Sequence, residues 1–438
     1  MSEIKVNKIS PRTACGTVTL GDSGDTIAIG AGVTTSGMGR TGTVDWVTDS
    51  IKTATFTAVN GKGYFCNTSG GAFTVNLPAG VVGNIVSVVD YTNTFQTNAL
   101  TVSPNGSEKI GGVAANATLS TEGQSVTFVY VDSTEGWKNV QDSTSNTIGA
   151  TYITATGGTI TTCGNDKIHK FTGPGTFTVC SVGNVAANNQ VSYIVVGAGA
   201  SGGAGNNNNN GSGGGGAGGF REDKSPATPY TASPLDGAGN ITVTATGYPI
   251  TVGGGGTASS PQNPGSAGST STFSTISSAG GGAGAYNNSG VAGASGGGGA
   301  DTGNPGGAGT TPPVSPPQGN AGGNGIGSAP SYGGGGGGGA TAAGTNGAAP
   351  TAGVGGVGAT TNIIGSPVAY SGGGGGGAYM CGTAAAGGTG GGGAGANKNA
   401  SGTAGTVNTG GGGGGANNPS GTSGAGGSGI VIIRYKYQ

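Results

Sequence analysis

The stretch Ser331-Tyr-Gly-Gly-Gly-Gly-Gly-Gly-Gly-Ala340, matched later by Gly410-Gly-Gly-Gly-Gly-Gly415, decides how this chain is read. A pure glycine run does not hold an α-helix, because glycine loses the most backbone entropy on ordering and brings no side chain to pack. What it permits is close approach of backbones, the use collagen makes of it at its crowded axis. Glycine supplies 107 of the 438 residues, and most of it lies after Gly197. The second half is therefore either disordered or a tight bundle of extended glycine segments.

Composition favours the bundle. The runs are punctuated by Phe220, Tyr230, Tyr248, Phe273, Tyr286, Tyr332, Ile363, Ile364, Tyr370 and Tyr379, whereas glycine linkers are repetitive and lack such anchors. From residue 201 onward the charged residues are Arg221, Lys224, Lys398, Arg434 and Lys436 against Glu222, Asp223, Asp236 and Asp301, too few for charge-driven disorder. The runs centre near residues 214, 254, 281, 297, 336, 374, 392, 412 and 426. A seven-residue run in a polyproline-II-type helix spans roughly 22 Å at about 3.1 Å per residue. Such helices can lie side by side, bond sideways through their amides, and place loops at both ends.

Working outward, Gln190-Val-Ser-Tyr-Ile-Val-Val196 enters the glycine region and Gly429-Ile-Val-Ile-Ile-Arg-Tyr-Lys-Tyr437 leaves it. Both read as buried strands, so residues 197–428 are expected to be one insertion clamped between two strands of a sheet. The predicted fold class is all-β, with tandem sandwich or jelly-roll-like modules followed by this bundle. Residues 1–48 read as an N-terminal β-rich assembly segment. Residues 49–145 read as a β-sandwich module, with a hairpin turn at Asn105-Gly106. Residues 146–438 read as the C-terminal module with its insertion.

The balance of 15 Lys plus Arg against 16 Asp plus Glu leaves no basic stripe, so nucleic acid is not expected as a partner. No apolar stretch is long enough to span a bilayer, and the N-terminus lacks an apolar signal segment. Cys15, Cys66, Cys163, Cys180 and Cys381 have no metal-like spacing and read as free thiols. Val195-Val-Gly-Ala-Gly-Ala-Ser-Gly202 matches a dinucleotide fingerprint, but the Asn-rich stretch after it is not the helix that phosphate binding requires. Asp22 and Asp25 read as a tight turn rather than a calcium loop. His169, the only histidine, reads as a half-exposed strand residue, and Glu222-Asp223 between Arg221 and Lys224 as a solvated loop. Carboxylate pairs for acid–base chemistry are missing, so neither enzyme activity nor a cofactor or metal is expected. Tyrosines in the bundle loops pair a flat apolar face with a hydroxyl and suit recognition of sugars or proteins. Phe220, Arg221, Tyr230, Tyr248, Tyr286, Tyr332, Tyr370 and Tyr379 are the candidate receptor contacts, against the plainer reading that such rings cap the glycine segments.

Lys167-Ile-His-Lys-Phe-Thr-Gly-Pro-Gly-Thr-Phe-Thr-Val179, the strand after Val191, the glycine runs and Gly426-Gly-Ser-Gly-Ile-Val-Ile-Ile-Arg-Tyr435 resemble the glycine-rich domain of tailed-phage tail fibres. Upstream, Ala72-Phe-Thr-Val-Asn-Leu-Pro-Ala79 and Val129-Tyr-Val-Asp-Ser-Thr-Glu-Gly-Trp137 are similar to a β-module of marine-phage fibres, and Glu3-Ile-Lys-Val-Asn-Lys-Ile-Ser-Pro11 to their N-termini. The resemblance implies a virion homotrimer, assembled in the host cytoplasm. It would be joined to tail or baseplate proteins through its N-terminus, and its tip would bind a bacterial surface glycan or outer-membrane protein. The alternative is a structural subunit of an extracellular filament or a virion decoration protein. An ice-binding surface is a third reading, opposed by the uneven spacing of the runs.

Overall fold

Strands here form where β-branched and aromatic residues alternate with small polar ones, so that one face of each strand finds a core. A computed structural model describes residues 44–144, 150–205, 211–301, 303–328, 331–379, 382–397, 400–417 and 421–438. The early strand pieces before residue 44, the Asp22/Asp25 turn, Cys15, Cys381 and Lys398 lie outside the described residues. Two units divide the chain, residues 1–148 and 149–438.

In the first unit a five-stranded sheet runs in the order Asp45–Lys52, Lys62–Cys66, Ile85–Asp90, Ser125–Asp132 and Gly136–Ser143. A four-stranded sheet runs Phe56–Thr57, Thr74–Asn76, Leu100–Ser103 and Ala117–Leu119. From Lys62 to Ser103 successive strands alternate between the two sheets. The chain crosses the core at each step and returns two strands later beside its predecessor, so neighbours in each sheet pair parallel. Val75, Leu100 and Val102 from one sheet share a core with Tyr64, Val86, Val88 and Phe128 from the other. Each such burial stabilises by about 1.5–3 kcal/mol. Asn105-Gly106 does not close a two-residue hairpin. Gly106 has φ +55°, but the turn lies within the long connection from Leu100–Ser103 to Ala117–Leu119.

The second unit is built on a sheet ordered Thr159–Cys163, Asp166–Phe171, Ile430–Lys436, Gln190–Val196 and Phe220–Asp223, with Ile241–Thr242 also on Gln190–Val196. Gln190–Val196 and Ile430–Lys436 pair antiparallel from Ser192↔Arg434 to Val196↔Ile430. The glycine-rich region therefore starts and ends on two adjacent strands, and between them the chain also supplies Phe220–Asp223 and Ile241–Thr242 to this sheet and three strands to a second one. One face of this sheet packs Tyr193, Val195, Val431 and Ile433 against Phe177, Ile250 and Phe273 of a second sheet. The other face packs Ile194, Val196, Ile430 and Ile432 against Phe220, Tyr230, Ile363 and Tyr370. Burial on both faces explains why these two strands are continuously apolar.

Beyond the sheet the glycine runs bond chiefly backbone to backbone, and the pattern repeats every third residue. Gly213, Gly216 and Gly219 donate to Ala285, Gly282 and Ala279; Gly214 and Ala217 to Gly335 and Gly338; Gly215 and Gly218 to Gly413 and Gly410. The same run accepts from Gly197, Ala200 and Gly203, from Ser295 and Gly298, and from Gly374, while Gly377 donates to Ser212 just before it. Residues 213–219 are thus enclosed by six neighbouring segments, giving to three and accepting from three. Nearly every position must be glycine because a Cβ would collide with a neighbouring carbonyl: one on Gly337 meets Gly215, and one on Gly214 meets Gly374. Peripheral runs relax this rule every third residue. Thr351, Val354, Val357 and Thr360 are exposed while the residues between them are buried. Thr383, Ala386 and Thr389 repeat the pattern.

Candidate functional site

The register of these bonds gives the bundle two ends. Gly197, Gly219, Ala279, Gly410 and Gly427 lie at the sheet end; Gly203, Gly213, Ala285, Gly298, Gly377 and Ala416 lie toward the far end. The far end is where three of the tyrosines stand. Tyr332 precedes the run 333–339 and Tyr379 follows the run 372–378, and a bridge between Gly333 and Ala378 brings them together. The Tyr379 amide donates to the Tyr332 carbonyl at 2.9 Å, and the rings meet edge to face with centroids 6.2 Å apart. Tyr286 leaves the run that ends at Ala285, at the same end. All three are half-buried.

The connections around them are polar and tied to the lattice by their own side chains. The Gly306 amide donates to Asn324 Oδ1 at 3.0 Å, and the Asn324 amide to Asn346 Oδ1 at 2.8 Å. Asn304 Nδ2 donates to the Asp301 carbonyl at 2.9 Å. Burial pushes the Asp301 carboxyl up to about 7, opposed by the Gly211 amide. Short connections on rigid segments lose little entropy on binding, which suits a recognition surface.

Four other candidates are in the core. Phe220 is 1% exposed, Tyr370 4%, Arg221 6% and Tyr230 9%. The aromatic anchors that sequence assigns to loops split between the two ends of the bundle, and these fill the gap between sheet and runs. Arg221 donates to the carbonyls of Ser315 at 2.8 Å and Pro316 at 2.5 Å, so the cation clasps a loop. Tyr248 belongs to Gly247–Thr251 in the second sheet, where its hydroxyl accepts the Thr244 amide at 2.8 Å.

Two further expectations are corrected. Glu222 and Asp223 are buried, because Phe220–Asp223 pairs with Gln190–Val196 and is covered on both faces. Glu222 accepts from the Ser233 amide at 2.8 Å, the Thr361 hydroxyl at 2.5 Å and the Tyr230 hydroxyl at 3.2 Å. Burial raises its pKa, against these donors. His169 is fully buried: Nδ1–H donates to the Gly157 carbonyl at 2.7 Å and Nε2 accepts from Tyr435 Oη at 3.1 Å. Burial lowers its pKa, which favours the neutral ring. Nothing in sequence marks this, since its partner lies at the other end of the chain.

Among the described residues no group of three or more His, Cys, Asp or Glu could hold a metal ion, and Cys66, Cys163 and Cys180 are free thiols. The amides of Gly197, Gly199 and Gly202, which a dinucleotide fingerprint would offer to phosphate, are bonded to Gly219, Gly427 and Gly424. Among the described residues no helix is long and apolar enough to cross a membrane. No curated protein matches the chain. A family model described as Glycine-rich domain matches residues 172–436, from just after Asp166–Phe171 to the end of the closing strand Ile430–Lys436. With that match over more than half its length, the chain belongs to the Glycine-rich domain family.

Proposed function

We propose that the protein is a phage tail-fibre subunit whose far bundle end attaches the virion to a receptor on the bacterial surface. The observation that carries the reading is the Tyr332–Tyr379 pair, half-exposed among Asn-, Ser- and Pro-containing connections at the end opposite the sheet. Aromatic rings with hydroxyls on a rigid frame offer large contact area at small entropic cost. The resemblance of the flanking strands to fibre domains supports a homotrimer held to the tail through its N-terminus, with a surface glycan or outer-membrane protein as the receptor.

Purified full-length protein is expected to bind a narrow set of strains saturably. Tyr332→Ala/Tyr379→Ala is expected to weaken that binding at least about tenfold, as loss of a central aromatic anchor does, with the melting temperature unchanged. A folded protein that binds none of a panel containing its host, and instead polymerises with concentration, would support the structural-filament reading.

A further inference from the structure

The five-stranded sheet of the first unit carries a straight row of side chains on the side away from its core. Trp46, Gly63, Ser87, Thr127 and Gln141 are direct partners from strand to strand. The next row, Tyr64, Val88 and Val126, faces the core. Because residue 63 is glycine, the Trp46 indole lies over it, in the place a Cβ would claim. Phe65, on the same side of the sheet, packs on the indole with centroids 5.2 Å apart. Trp46 nevertheless remains 41% exposed. Ser87 and Thr127 join hydroxyls at 2.7 Å in the middle of the row. Gln141 is exposed on the strand at the far side. Trp46, Ser87, Thr127 and Gln141, with Ser125 and Ser143, line a trough of about 580 Å³.

We propose that this trough binds a neutral mono- or disaccharide. A pyranose has a flat C–H face and a belt of hydroxyls. The trough offers an aromatic ring at one side, Thr127 and Ser125 along the floor, and the Gln141 amide with Ser143 at the other side. Its volume lies within the usual range of small-ligand sites, about 300–1,000 Å³. Among the described residues the lining contains no lysine or arginine, so phosphates and uronic acids find no cationic partner and are poor occupants. The site lies in the first unit and does not depend on the bundle end.

The chain has two tryptophans, and the other, Trp137, is fully buried with Nε1–H donating to Glu108 at 3.2 Å. A saturable change in intrinsic fluorescence on adding sugar is therefore assigned to Trp46, over a constant contribution from Trp137. Full-length protein is titrated with the methyl glycosides of glucose, galactose, mannose, N-acetylglucosamine and N-acetylgalactosamine, and with glucuronic acid. At least one neutral glycoside is expected to saturate the signal with Kd on the order of 1 mM, and glucuronic acid to bind more weakly. By calorimetry Trp46→Ala is expected to weaken binding at least about tenfold, the loss of a stacking surface worth about 1.4 kcal/mol. Gln141→Ala, on an exposed side chain, tests the polar side without disturbing the aromatic cluster and is expected to weaken it about threefold. Tyr332→Ala/Tyr379→Ala is expected to leave it unchanged. The proposal fails if no neutral glycoside perturbs the folded protein, if glucuronic acid binds best, or if Trp46→Ala and Gln141→Ala both bind like wild type. It also fails if sugar binding is lost only in the tyrosine double variant.

Discussion

A single methyl group at Gly215 would press on the carbonyl oxygens of Ala200 and Ser201. The neighbouring run cannot retreat, because it bonds to other runs in turn. Gly215→Ala is accordingly expected to destabilise by about 3 kcal/mol, the upper range for overpacking a tight interior. Gly254 is exposed and a Cβ there meets nothing within 4 Å. Gly254→Ala should match wild type or gain up to about 1 kcal/mol by restricting the unfolded chain. Urea unfolding of the two variants separates them; equal losses would mean that glycine serves through something other than close approach.

At the scale of elements, the closing strand Ile430–Lys436 is held on one side by a buried ion pair. Arg434 Nε and Nη2 donate to Asp166 Oδ2 at 2.8 and 2.7 Å, and Nη1 donates to the Ile363 carbonyl at 3.0 Å. Arg434→Met strands a buried carboxylate and is expected to cost about 3–5 kcal/mol. Adding Asp166→Asn should return a large part of that loss in thermal unfolding, whereas simple additivity would show that the charges do not interact. Much at this level was legible. The apolar runs at 190–196 and 430–435 announced paired strands, and the missing side chains in the runs between them announced a backbone-bonded bundle. Burial of Arg221, Glu222 and Tyr230 was not legible, because local charge resembles a solvated loop until a strand 30 residues earlier covers it. One signal was on the page unread: the triplet spacing of Thr351, Val354, Val357 and Thr360 marks a peripheral run, with every third residue facing out.

For the whole molecule, surface charge contributes little cohesion. The net charge is -1, and the ion pairs Lys62–Asp45 and Lys138–Glu135 are exposed, where such pairs are worth about 0–1 kcal/mol. Raising NaCl from about 0.05 to about 0.5 M should therefore move the melting temperature by less than about 3 °C. A larger drop on salt addition would reveal an electrostatic contribution that the backbone lattice does not supply. The parallel crossing of strands in the first unit was likewise not readable from alternation, which gives the faces of a strand but not its partner.

The pairing of Gln190–Val196 with Ile430–Lys436 has a genetic consequence. The two strands meet each other directly, while the chain between them also lays Phe220–Asp223 and Ile241–Thr242 into the same sheet and three strands into the second. An exchange between two related genes, with one crossover in each of these strands, would therefore carry the bundle together with the strands that seat it, so that the two are inherited as one unit.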